Sequence, residues 1–332
     1  MKNPFLIILS FFIFSTSFAQ IGSCRINLVN PQSYLKEVDS LRQAKKYDLI
    51  INDLKKRIKS DSTQMWHYYQ LACYYSLKKN IKKSFSYLYK AIEMNACGDD
   101  ILSDTDFEIL HNTKQWKLLK DTLVQIYLNK YPDINKKELS VKLWLMGIED
   151  QSTRSLRRNL KKKSPPQNSK EWEQLNKLYI QKTKERSQFI MSLVKKGYWP
   201  LYSDVGEEAG DATLYIVQHS NNKRLFKKAL PLLKNAIEKK EANGGNYALM
   251  IDRYLMMSNK KQIYGTQIIN YRDETNNNNW SGNVFWPIEN EKEVNKRRKS
   301  VGLQTIEEYG IRFNIKYIYK PENENQKLPS KF

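Results

Sequence analysis

Two adjacent pairs, Gln218-His219 and Asp252-Arg253, carry the side chains best suited to chemistry. A neutral imidazole exchanges protons near pH 7, and a carboxylate can hold it in the tautomer that does so. On that logic His219 is the candidate general acid or base and Asp252 its orienting partner, the two candidate catalytic residues. Gln218, Gln262, Tyr264, Thr266 and Gln267 offer hydrogen bonds to a polar ligand, and Arg253 and Arg298 offer planar guanidiniums to an anionic one. Each residue also has a structural reading. Asp252 and Arg253 could form a buried ion pair, and His219 could bond the last carbonyls of a helix.

Other chemistries lack the residues they need. His219 is the one histidine of the C-terminal half and has no second histidine or cysteine near it in sequence, so no metal set is expected. No Gly-x-Ser-x-Gly turn and no phosphate-cradling glycine loop is present, and no cofactor is expected.

The elements that must position these groups follow from pattern. Residues 245–258, GNYALMIDRYLMMS, are apolar at helical spacing and apolar on the other faces too. Such a helix is buried, so the charges at its middle need partners from elsewhere. Residues 262–271, QIYGTQIINY, are rich in β-branched and aromatic types and predict a strand, with Gly265 marking a bulge or a close approach. An asparagine-rich loop and a short edge strand at 284–288 complete a small β-hairpin near 262–288. Leu225–Glu241 predicts an amphipathic helix interrupted at Pro231, and Thr305-Ile-Glu-Glu308 predicts a capping box.

The first half has a different rhythm. Tyr68, Leu71, Ala72, Tyr75, Ser84, Leu88 and Ala91 stand where tetratricopeptide repeats place their large, small and aromatic residues. A weaker copy lies 34 residues earlier, at Tyr34, Leu41, Tyr47, Ile50 and Leu54. The region resembles that family over about two units. Asp104–Leu110 and Trp116 then resemble the segment that closes short arrays, covering the last repeat's apolar edge. The resemblance implies a groove for a protein or peptide partner.

Met1–Ala19 has a basic start, an apolar core and a small-residue cleavage site, and reads as a signal peptide for a periplasmic or secreted protein. The alternative is a lipid anchor at Cys24, because Ile21-Gly-Ser-Cys24 resembles a bacterial lipobox. Cys73 and Cys97 read as packing residues, and three cysteines give no disulfide framework. The net charge of +21 accompanies lysines scattered over solvent faces. With an export signal, nucleic acid is not expected as a partner, and anionic polymers or lipid headgroups stay open.

In the C-terminal half, a set of residues resembles an uncharacterised bacterial family, domain of unknown function 6624. The set is Asp150-Gln151 with Arg154, Trp199-Pro200, Gly206, Gln218-His219, Ala248, Asp252-Arg253, Gln262–Gln267, Pro287-Ile288, Arg297-Arg298 and Val301-Gly-Leu303. The chain departs from the family pattern at Tyr198, where glycine is expected, and at Thr213, where an aromatic is common. The resemblance implies a domain and no activity.

The expected protein is mainly α. It has a signal peptide at 1–19, tetratricopeptide-like helical hairpins at 20–125, a helical domain with a small β-hairpin at 126–319, and a disordered tail at 320–332. The expected function is a repeat-mediated interaction module joined to a domain that binds a polar or anionic ligand. The alternative is an exported enzyme, such as a hydrolase, using His219 and Asp252.

Overall fold

The structure, a computed structural model, describes residues 32–162, 169–272 and 281–319. The expected signal peptide, the lipobox cysteine and the polar tail lie outside the described residues. The described residues are mainly helical, with one two-stranded antiparallel sheet among them. The chain divides into two compact units at residues 180/181, within the long helix α8 (Lys170–Lys195). Among the described residues no helix is long and apolar enough to cross a membrane.

The N-terminal unit begins with two helical hairpins, α1 (Gln32–Gln43) with α2 (Tyr47–Ser60) and α3 (Met65–Leu77) with α4 (Ile81–Glu93). Their turns are built alike. Lys45 and Lys79, 34 positions apart, both take a left-handed φ, 54° and 59°. In each turn this residue and the next donate back to the closing helix: Lys45 N–H to Arg42 and Lys46 N–H to Leu41, then Lys79 N–H to Ser76 and Asn80 N–H to Tyr75. Ala72 and Ser84 are fully buried, and the Ser84 hydroxyl donates to the Ala72 carbonyl at 2.8 Å, so small side chains let α3 and α4 approach closely. α3 is apolar around most of its circumference because α2, α4 and the 3-10 turn Thr105–Leu110 all pack on it. Phe107 of that turn is fully buried beside Tyr69 and Trp116. Helices α5 (Gly98–Ser103), α6 (Lys114–Lys130) and α7 (Lys137–Lys162) complete the unit's elements before α8.

The C-terminal unit carries α9 (Tyr202–Val205), α10 (Glu207–His219), α11 (Lys223–Glu238), α12 (Gly244–Met257), β1 (Ile268–Arg272), β2 (Ser281–Phe285), α13 (Val294–Ser300) and α14 (Ile306–Ile311). Asn246 of α12 lies beside Asp211 of α10, and Arg253 beside Asn221 just past its end, so α10 and α12 run in the same direction. Pro231 sits inside α11 without ending it. The buried row Leu225, Phe226, Ala229, Leu230, Leu233 and Ala236 holds the helix together across the missing N–H. Thr305 and Glu308 form the expected capping box.

The hairpin pairs Ile268 with Phe285 through Arg272 with Ser281. The expected strand over 262–271 therefore begins six residues late. Before it, only Gln262 makes a bridge, parallel to Ile288. Gly265 has φ +67°, and a β-carbon there would come within 2.6 Å of Ile306 and 3.0 Å of Ile288. The backbone of 263–266 bends because its polar groups are taken by side chains rather than by a neighbouring strand.

Candidate functional site

Asp252 organises that bend. It is fully buried at the middle of α12. Its Oδ1 accepts the amides of Ile263 (2.7 Å) and Tyr264 (3.0 Å). Its Oδ2 accepts the amides of Tyr264 (3.1 Å) and Thr266 (3.0 Å) and the Thr266 hydroxyl (2.9 Å). Burial pushes the carboxyl above its ordinary range, while these donors pull the other way. Every partner is a donor, which fits the ionised form.

The carbonyls of the same loop face cations and hydroxyls. Arg297 Nε donates to the Ile263 carbonyl at 2.8 Å. Arg298 donates to Tyr264 at 2.7 Å and to Gln304 at 2.7 Å, with its guanidinium 4.8 Å from the centre of the Tyr309 ring. The Tyr309 hydroxyl donates to the Thr266 carbonyl at 3.1 Å, and burial raises that phenol to about 12. Gln262 closes the loop on itself: its amide donates to the Gln267 and Trp286 carbonyls, and its carbonyl oxygen accepts Gln267 N–H at 2.8 Å. Gln267 donates in turn to the Leu249 carbonyl and the Thr266 hydroxyl.

The structure thus brings together Asp252, Gln262, Thr266, Gln267 and Arg298, all buried, around one short loop. Tyr264 contributes its backbone to that loop, with a half-buried side chain. Arg253 points elsewhere, donating to Asn221 at 2.9 Å. His219 is not among the hydrogen-bond donors on Asp252, whose two oxygens accept from its own loop. Arg298 Nε and Nη1 hold backbone carbonyls. Arg297 and Tyr309 belong to the network and were not singled out from sequence as ligand-facing. The adjacency of Arg297 to Arg298 was the available signal.

A second polar group lies on α10. Asp211, Tyr215, Gln218 and His219 stand at i, i+4, i+7 and i+8, one face of a helix that is buried almost throughout. Asp211 Oδ1 accepts both the Tyr202 hydroxyl and the Asn246 amide at 2.8 Å. Burial first, then the nearby Glu207 and Glu208, raises its carboxyl to about 6. Gly210 makes room for this arrangement, because a β-carbon there would meet the Tyr202 ring at 2.8 Å. Tyr215 and His219 stack with ring centres 6.4 Å apart. Gln218 is 2% exposed, and among the described residues neither its amide nitrogen nor its oxygen has a hydrogen-bond partner. Such a group destabilises the fold by roughly 1–3 kcal/mol unless something bonds it. The sequence reading missed Asp211, although its spacing of seven from Gln218 places it on the same face.

Among the described residues, one grouping has metal-ligand geometry: Cys73, Asp104 and Asp106 of the N-terminal unit, with ligand atoms within 4.8 Å of one another. Those atoms already hold each other and their neighbours. Arg42 donates to Asp106 at 2.5 Å, and Tyr69 and Cys73 donate to Asp104 at 2.8 and 3.6 Å. Burial also pushes the Cys73 thiol up, away from the thiolate a metal requires.

Residues 137–320 match a family model described as a family of unknown function, DUF6624, over more than half of the chain. The match takes in α7 to α14 and every candidate residue of the C-terminal unit. No curated protein and no solved structure matches the chain.

Proposed function

The chain belongs to the family of unknown function DUF6624, and from its geometry we propose an exported binding protein. In this reading a tetratricopeptide-like module at 20–125 meets a protein or peptide partner. The domain that follows binds a polar or anionic small molecule along α10, through Gln218 with Asp211, Tyr215 and His219. The observation that carries the ligand reading is the buried Gln218 carboxamide, which lacks any hydrogen-bond partner among the described residues. A ligand presenting both a donor and an acceptor would satisfy it. The repeat reading is supported by the two like-built turns 34 positions apart and by the close approach at Ala72 and Ser84. Export rests on Met1–Ala19, with a lipid on Cys24 as the alternative form. The rival reading, a hydrolase using His219 with Asp252, is weakened because five hydrogen bonds already occupy Asp252.

A thermal-shift screen of small carboxylates, amides and sugars, run on the wild type and on Gln218→Met, tests the ligand reading. Without ligand, the variant is more stable by about 1–2 kcal/mol, because an unsatisfied amide has been replaced by an apolar side chain of similar length. A true ligand raises the melting temperature of the wild type and leaves the variant unmoved. A compound that shifts both equally, or a variant less stable than wild type, sinks the proposal.

A further inference from the structure

The two hairpin turns of the N-terminal unit form one edge of that unit. Asp48, at the start of α2, is paired with Lys78, at the end of α3, which ties the turns side by side. Lys45, Lys46, Lys78, Lys79, Lys82 and Lys83 all lie on this edge and are exposed. Asp48 is the one acidic residue in 44–49 and 78–83, and Lys78 holds it. Farther along the same helices basic residues find carboxylates, as in Arg57–Asp53 and Lys90–Glu93. On the edge, Lys45, Lys46, Lys79 and Lys82 have none among the described residues. Leu49 stands among these lysines with 55% of its surface exposed.

We propose that this edge docks on an anionic phospholipid bilayer. Flexible ammonium groups suit headgroup phosphates that hold no fixed geometry. An exposed leucine among them suits the boundary between headgroups and acyl chains, where a polysaccharide or nucleic acid would give it nothing to bury against. The repeat builds this surface directly: each turn sets its lysines at the same place, one hairpin along. The inference rests on the export reading only for which bilayer the protein meets. Vesicle binding in vitro does not depend on it, and the mass of the mature N-terminus tests export separately.

The test uses the chain without Met1–Ala19, produced unlipidated, and sedimentation with phosphatidylcholine vesicles that contain or lack phosphatidylglycerol. The expected result is binding only to the anionic vesicles, with release at high salt. Lys45→Asn with Lys79→Asn should weaken partitioning about 25-fold, at about fivefold per lysine near the surface. Asparagine is chosen because, among the described residues, it stands at most of the other non-glycine positions with positive φ, including Asn95, Asn221 and Asn259, so both turns keep their shape. Lys239→Gln with Lys240→Asn removes the same charge from the turn between α11 and α12 and should change binding less than about twofold. Equal losses from the two pairs would show diffuse charge attraction and overturn the assignment. So would equal binding to neutral vesicles, no binding to anionic ones, or capture by heparin beads without vesicle binding.

Discussion

Asp252 and Thr266, fourteen residues apart in sequence, are joined twice at one atom: the Thr266 amide and hydroxyl both end on Asp252 Oδ2, at 3.0 and 2.9 Å. With the amides of Ile263 and Tyr264 on the same carboxylate, a turn of chain is wrapped around a single buried anion. The role this gives Asp252 is to hold α12 to the loop that leads into the hairpin.

Asp252→Asn keeps the shape of the side chain and points an N–H₂ group at backbone N–H groups that need an acceptor. It should destabilise the C-terminal unit by about 3–5 kcal/mol, the cost typical of breaking a buried charge network. Urea unfolding followed by the fluorescence of Trp286, whose indole is buried behind this loop and bonded to the Lys260 carbonyl, reads the loss. A loss under about 1 kcal/mol would return Asp252 to the list of groups available for ligands.

Gly265→Ala meets a positive φ and two side chains, Ile306 at 2.6 Å and Ile288 at 3.0 Å. The expected cost is about 2 kcal/mol or more. Adding Ile306→Val should relieve the closer of the two clashes and leave the backbone part, so the double variant melts between the single variant and the wild type. If Gly265→Ala melts with the wild type, the loop conformation described above is wrong.

Asp211 sets a pH dependence. Its carboxyl is raised to about 6 in the folded chain, above its unfolded value near 3.9, so folding favours the protonated form. The stability this provides is complete below about pH 4 and is lost as pH rises through about 6. Asp211→Asn retains an oxygen for Tyr202 and Asn246 and cannot ionise. The variant should match the wild type at pH 4 and exceed it on the order of 2 kcal/mol at pH 7. Melting curves at the two pH values check this, and an identical difference at both would exclude the shift. Asp100, also raised to about 6 by burial and by Asp104, adds a similar slope in the N-terminal unit and is unaffected by the substitution.

Much of the fold could be read from pattern because helices announce themselves through period and caps. The end of α12 at Ser258 and the capping box at Thr305 are local events, decided by residues a few positions apart. The gathering of Gln262, Thr266, Gln267 and Arg298 around the loop that Asp252 holds is visible in the sequence only as polar residues inside apolar elements, which signals that partners exist without naming them. The expected strand is too long because Gln262–Gln267 has β-favouring composition, and composition does not reveal that a carboxylate eleven to fourteen residues upstream collects the amides. His219 and Asp252 looked like a pair because their types fit one chemistry. Whether they bond depends on which face of α10 and which face of α12 meet, and that is settled by tertiary packing.

The loop at 263–266 also has a consequence for solution measurements. Amides anchored on a buried carboxylate exchange with solvent only when that carboxylate is uncovered, just as ladder amides exchange only when a sheet opens. Protection at Ile263, Tyr264 and Thr266 would therefore imitate the signature of a strand, in a stretch that has a bend and a left-handed glycine. Deuterium uptake there is better read as a gauge of how tightly α12 grips the segment than as evidence of extended structure.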